Sequence, residues 1–129
     1  MTIENTKAQM RKGILELCVL SIISQKEAYP SDILNKLKEA KLIVVDGTMY
    51  PLLSRLKNAD LLSYEWKEST SGPPRKYYKL TKEGQSFLEG LHDTWDDLNM
   101  AVTKTMVKPK ASRTTKTTTS KKSTTKTEK

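Results

Sequence analysis

Gly47-Thr48-Met49-Tyr50-Pro51-Leu52-Leu53-Ser54-Arg55-Leu56 reads as the start of a short helix with unlike faces. Leu52, Leu53 and Leu56 fall at helical spacing and turn inward. Tyr50, Ser54 and Lys57 follow at steps of four and three, so they share another face. Pro51 is expected in the first turn, where a helix tolerates it. Downstream comes Gly72-Pro73-Pro74-Arg75-Lys76-Tyr77-Tyr78-Lys79-Leu80-Thr81, a basic and aromatic arm. Before it, Leu62, Tyr64 and Trp66 alternate with Ser63, Glu65 and Lys67, so Leu62–Glu68 reads as a strand. Ser69–Pro74 then reads as a flexible turn and Arg75–Leu80 as the returning strand. Alternation sends one of Tyr77 and Tyr78 inward, and Tyr78 is expected there with Leu80.

Working outward, Thr6–Ser24 is helical: Met10, Ile14, Leu17, Cys18 and Ile22 recur at steps of three or four. Leu15, Val19, Leu20 and Ile23 widen the stripe, which predicts a core helix covered on most sides. Lys26–Tyr29 is a break. Pro30 suits the first turn of a second helix, Asp32 near its start favours the helix dipole, and Ile33, Leu34 and Leu37 face inward. Leu42–Val45 is long enough only for a short strand or extended link, and Asp46-Gly47 marks the turn into the third helix. Thr81 is the expected N-cap of a last helix with Glu83 in its first turn. There Leu88, Leu91, Trp95, Leu98 and Val102 form a heptad seam about two heptads long. Such a seam either lies on the body or packs on a second copy. The second copy is favoured, because a small three-helix body cannot easily cover so long a helix.

The fold expected is mostly α with a small β-hairpin, a winged helix-turn-helix (1–81) carrying a C-terminal dimerisation helix (82–107). A Lys/Thr/Ser-rich basic tail (108–129) with almost nothing apolar is expected to be disordered. In the 129 residues, 103–129 hold nine Lys/Arg against Glu128 and so carry the whole formal charge of +8. The remaining 1–102 are balanced at fourteen of each sign. The basic pI is thus a property of the tail, and any nucleic-acid role of the body must rest on local clustering.

Other chemistry finds little support. The single cysteine, Cys18, excludes an intrachain disulfide and reads as a small buried hydrophobe. His92 is the only histidine, so no zinc site, other metal or cofactor is expected. No nucleophile–base set or Gly-rich phosphate loop is present, and Asp93, Asp96 and Asp97 read as a solvated helix face, so no enzyme activity is expected. Lys7, Arg11 and Lys12 precede the apolar Ile14–Ile23. Glu16 and Ser21 interrupt that run, which is also too short to cross a bilayer, so a soluble cytoplasmic chain without a membrane partner is expected.

A recognition helix followed by a basic wing points to double-stranded DNA. Thr48, Tyr50, Ser54, Arg55 and Lys57 are the candidate groove-facing residues. Tyr50 could instead be a core aromatic and Arg55 a solvated charge. On the wing, Arg75 is a candidate for the minor groove and Lys76 for a phosphate. Lys7, Arg11 and Lys12 either add phosphate contacts or are simply solvated. The tail can neutralise phosphates without reading sequence, which leaves a tail-driven architectural DNA-coating protein as the alternative.

Over about residues 10–102 the chain resembles the PadR family of bacterial transcriptional regulators, in its short form with one C-terminal helix. Gly47-Thr48-Met49-Tyr50-Pro51-Leu52-Leu53 is similar to the family's Gly-Thr-Leu-Tyr-Pro-Leu-Leu block. Gly72-Pro73-Pro74-Arg75-Lys76-Tyr77-Tyr78 with Leu80-Thr81-Lys82-Glu83-Gly84 is similar to its wing and following helix start. The resemblance implies a homodimer built chiefly on the last helix with support from the first. It implies a repressor on an inverted-repeat operator, released by an effector, with Thr48, Tyr50, Arg75 and Lys76 on the DNA. Some short relatives stack flat aromatic drugs between paired tryptophans, and Trp95 aligns with that position. Trp95 is therefore either an interface anchor, the preferred reading, or a stacking plate for a planar aromatic effector. Two departures stand out: Tyr29-Pro30-Ser31 replaces a common His-Gly-Tyr, and the basic tail has no counterpart.

Overall fold

In the computed structural model, residues 1–42, 44, 46–69 and 72–106 are described. The basic tail and part of the Leu42–Val45 link lie outside the described residues. The chain forms two units, Met1–Thr94 and the segment from Trp95 onward.

Helix α1 (Ile3–Gln25) starts earlier than its apolar periodicity suggests, because Thr2 caps it: Thr2 Oγ1 accepts the Asn5 N–H at 3.1 Å. Only its second half is covered. Leu15, Val19, Leu20 and Ile23 are buried, whereas Ile3 and Met10 are exposed, so the expectation of cover on most sides fails for the first three turns. Helix α2 (Pro30–Glu39) has Pro30 at its start, and the Asp32 carboxylate accepts the Tyr29 N–H at 3.0 Å. It buries Ile33 and Leu37.

Helix α3 (Asp46–Asn58) already includes Asp46 and Gly47, which moves Pro51 into the second turn rather than the first. Pro51 there removes one intrahelical bond, to the Gly47 carbonyl. Burial of Met49, Leu52, Leu53 and Leu56 outweighs that loss. Both α2 and α3 end with a residue in the left-handed region, Lys41 (φ 69°) and Asp60 (φ 65°). The next amide returns to the helix, Leu42 N–H to Leu37 O at 2.8 Å and Leu61 N–H to Leu56 O at 3.0 Å.

Strands β1 (Leu62–Ser69) and β2 (Gly72–Leu80) pair antiparallel, with Leu62 opposite Leu80, Tyr64 opposite Tyr78, Trp66 opposite Lys76 and Lys67 opposite Arg75. The hairpin is longer than expected: Pro73 and Pro74 belong to β2, and the register breaks between Lys67 and Ser69 of β1. A bulge at that point accommodates prolines that cannot donate to the ladder. On the other edge of β2, the Ala28 N–H donates to Tyr78 O at 3.0 Å and the Tyr78 N–H to Ala28 O at 2.8 Å. Lys26–Tyr29 is therefore more than a break, since Ala28 fastens the wing's base to the body.

Helix α4 (Lys82–Thr105) is capped as expected. Thr81 Oγ1 accepts the Gly84 N–H at 2.9 Å and donates to Asp60 O at 2.7 Å. Gly84 is buried against the preceding turn, and a Cβ there would press on the Leu61 carbonyl oxygen and lie 2.8 Å from Leu80 Cδ1. One core joins the second half of α1, α2, α3, Leu61, Leu62, Tyr78 and Leu88.

Candidate nucleic-acid interface

On α3, residues seven apart lie almost above one another, because two turns take 7.2 residues at about 3.6 per turn. With Met49, Leu52, Leu53 and Leu56 buried, four rows remain outside. Ser54 lies on one of the two outermost rows, Tyr50 and Lys57 lie towards the wing, and Thr48 and Arg55 lie towards α1. All five are exposed, and Tyr50, at 49% exposure, is not a core aromatic. The Lys57 ammonium lies 5.9 Å from the Tyr64 ring centre, which ties the end of α3 to β1.

The wing's two faces differ. On one, Tyr64 and Trp66 stand beside Tyr78 and Lys76. Lys76 is half-buried, 4.6 Å from the Tyr64 ring and 5.5 Å from the Trp66 ring, so its ammonium is held by two aromatic faces. Burial, and then the neighbouring Tyr64 and Tyr50, push the Tyr78 hydroxyl upward and keep it neutral. On the other face, Arg75 stacks over Tyr29 at 4.0 Å and its guanidinium donates to Ser31 Oγ at 3.4 Å. Tyr29 also packs on Tyr77 at 4.9 Å, and Lys67 lies 4.5 Å from the Tyr77 ring. Arg75 is thus laid against the start of α2, not extended from the wing. Sequence reasoning named Tyr29 only at the end of the Lys26–Tyr29 break and in the Tyr29-Pro30-Ser31 departure, and gave it no part in the site.

On the α1 side, the Arg55 guanidinium donates to Glu16 at 2.9 Å. Arg11 and Lys12 share with Thr48 a groove of about 300 Å³ whose floor includes Leu15 and Leu42. Lys7 is paired locally with Glu4 at 3.8 Å. Basic groups therefore lie on both flanks of α3, which answers the requirement for local clustering in a body of zero net charge.

The expected seam divides. Leu88 is 3% exposed and belongs to the core of the first unit, and Leu91 is partly buried against that core. In the second unit Trp95, Leu98 and Val102 are exposed, along with Met100 and Met106. Cys18 is half-buried, less than expected, and burial pushes its thiol up. Among the described residues no helix is long and apolar enough to cross a membrane.

A sequence profile of the transcriptional regulator PadR-like family matches residues 19–90. The chain belongs to this family. Among solved PadR-like structures, a transcription factor from Bacteroides fragilis is 64% identical, with 77% of this chain and 96% of that one covered at a TM-score of 0.66. A PadR family regulator from Eggerthella lenta is 32% identical over 81% of this chain and 91% of its own, with a TM-score of 0.75. One from Bacillus cereus is 37% identical over 78% and 99%, with a TM-score of 0.69. PadR-like proteins are DNA-binding transcriptional regulators and not enzymes, and the four helices and hairpin are their winged-helix fold.

Proposed function

We propose that this PadR-like protein is a cytoplasmic, homodimeric repressor that reads an inverted-repeat operator and leaves it when a small molecule binds. The observation that carries the reading is the exposed face of α3 with Thr48, Tyr50, Ser54 and Lys57, set beside a wing bearing Arg75 and Lys76. An α-helix of this kind fits the major groove, and a wing then meets the adjacent backbone or minor groove. The basic tail supplies affinity without sequence.

Binding of the full chain and of a 1–107 truncation to the DNA upstream of the gene, against scrambled DNA, tests this across a salt series. Both proteins are expected to prefer the upstream duplex. The truncation loses eight basic residues, so its log–log salt slope should be shallower. Each phosphate released from contact accounts for about 0.9 of slope. If the truncation binds no duplex at all, the protein is instead a tail-driven DNA-coating protein.

Trp95, exposed with Leu98 and Val102, is proposed as an anchor of the dimer. Trp95→Ala is expected to weaken self-association about tenfold or more in sedimentation, the scale of a buried aromatic anchor. An unchanged dimer that no longer shows fluorescence quenching by planar aromatic dyes would favour the stacking-plate reading. Trp66→Ala serves as the control for the second tryptophan.

A further inference from the structure

Arg55 has the chemistry of a DNA contact, yet its guanidinium is engaged inside the protein. It reaches back across the α1–α3 boundary to Glu16 at 2.9 Å, with the two side chains 65% and 39% exposed. On the α1 side of the helix the other charged groups are basic: Arg11 and Lys12 adjoin Thr48 above an apolar floor of Leu15 and Leu42, and Thr48 shares a row of α3 with Arg55. Glu16 is thus an acid set into a basic flank. A pair this exposed is weakly held and screened by salt. A phosphate offers the planar guanidinium two oxygens for a bidentate pair of its own.

We propose that Glu16 is a restraint on DNA affinity: it competes with the phosphate backbone for Arg55 and holds that charge back from duplexes in general. The inference rests on the DNA-binding surface proposed above and deepens it. Arg55 becomes a contact withheld while Glu16 holds it, so the wild type forgoes one phosphate on every sequence. Phosphate contacts carry no sequence information, so the restraint acts most usefully against unwanted DNA, where base contacts do not compensate.

Four full-length proteins decide it: wild type, Glu16→Gln, Arg55→Gln and the double variant. Each is titrated across a salt series on a duplex selected from a random pool by the wild type, and on a scrambled duplex. Glu16→Gln should bind both duplexes about three- to tenfold more tightly, with a log–log salt slope steeper by about 0.9, one further phosphate. Arg55→Gln in the Glu16→Gln background should remove the whole gain. Two results overturn the proposal. One is Glu16→Gln binding no more tightly than wild type while unfolding at the same temperature. The other is a double variant that keeps the gain, which would make Glu16 a simple repulsive charge. If the pool enriches no sequence, the operator reading fails by itself, and the same four titrations on the scrambled duplex still decide the role of Glu16.

Discussion

Tyr50→Ala combined with Arg75→Ala is expected to lower affinity for the preferred duplex about a hundredfold or more, at roughly 1–3 kcal/mol for each lost base-reading contact. Scrambled DNA should lose only a few-fold. Tyr50 stands outside α3 on its wing side, and Arg75 lies on the wing face that meets the start of α2. Arg75 has a second role, because its stack on Tyr29 docks the wing against α2. Its loss therefore removes a charge and also loosens the arm that carries Lys76. Titration of both duplexes at one salt concentration checks the result, with the unfolding midpoint followed in parallel. Equal losses on the two duplexes would count against sequence reading by this surface.

The largest effect on stability is expected from a single methyl group. Gly84→Ala should destabilise the fold by on the order of 3 kcal/mol, the scale of forced overpacking in a tight core. The added Cβ would meet the Leu61 carbonyl oxygen, which already accepts the Thr81 N–H at 3.1 Å, and the Leu80 side chain behind it. Backbone cannot yield there without opening the Thr81 cap. Gly90 lies in the same helix with open space around it. Gly90→Ala should thus be stabilising by about 0.5–1 kcal/mol, the ordinary helix-propensity gain. Urea unfolding of the two variants measures the contrast, and equal midpoints would mean that Gly84 is not a close-approach site.

Much of this fold was legible because apolar period and turn chemistry agree. The Leu52/Leu53/Leu56 row, the Leu62–Glu68 alternation, buried Tyr78 and the Thr81 cap stand as their residue types require. What escaped the sequence depended on tertiary partners. Lys41 and Asp60 end helices in a conformation that glycine signals and they do not. Pro51 sits a turn deeper than local rules allow, since packing of four apolar residues overrides the missing bond. The heptad spacing of Leu88 with Trp95 gave no sign that Leu88 is drawn into the body's core. At the candidate site, residue types marked α3 and the wing. The internal engagements of Arg55 with Glu16 and of Arg75 with Tyr29 join positions far apart in the chain, and no spacing rule announces them.

The bridge between Ala28 and Tyr78 also bears on the order in which the chain can assemble. Its two hydrogen bonds join residues about fifty apart, and the loop they close contains α2, α3 and β1. Closing so long a loop costs chain entropy, and contact-order reasoning places the bridge after the local helices. The candidate reading helix lies within the loop that this bridge closes, and the wing gains its fixed base only when the bridge forms. A nascent chain that has made α3 but not yet β2 holds the candidate reading residues without the wing that stands beside them.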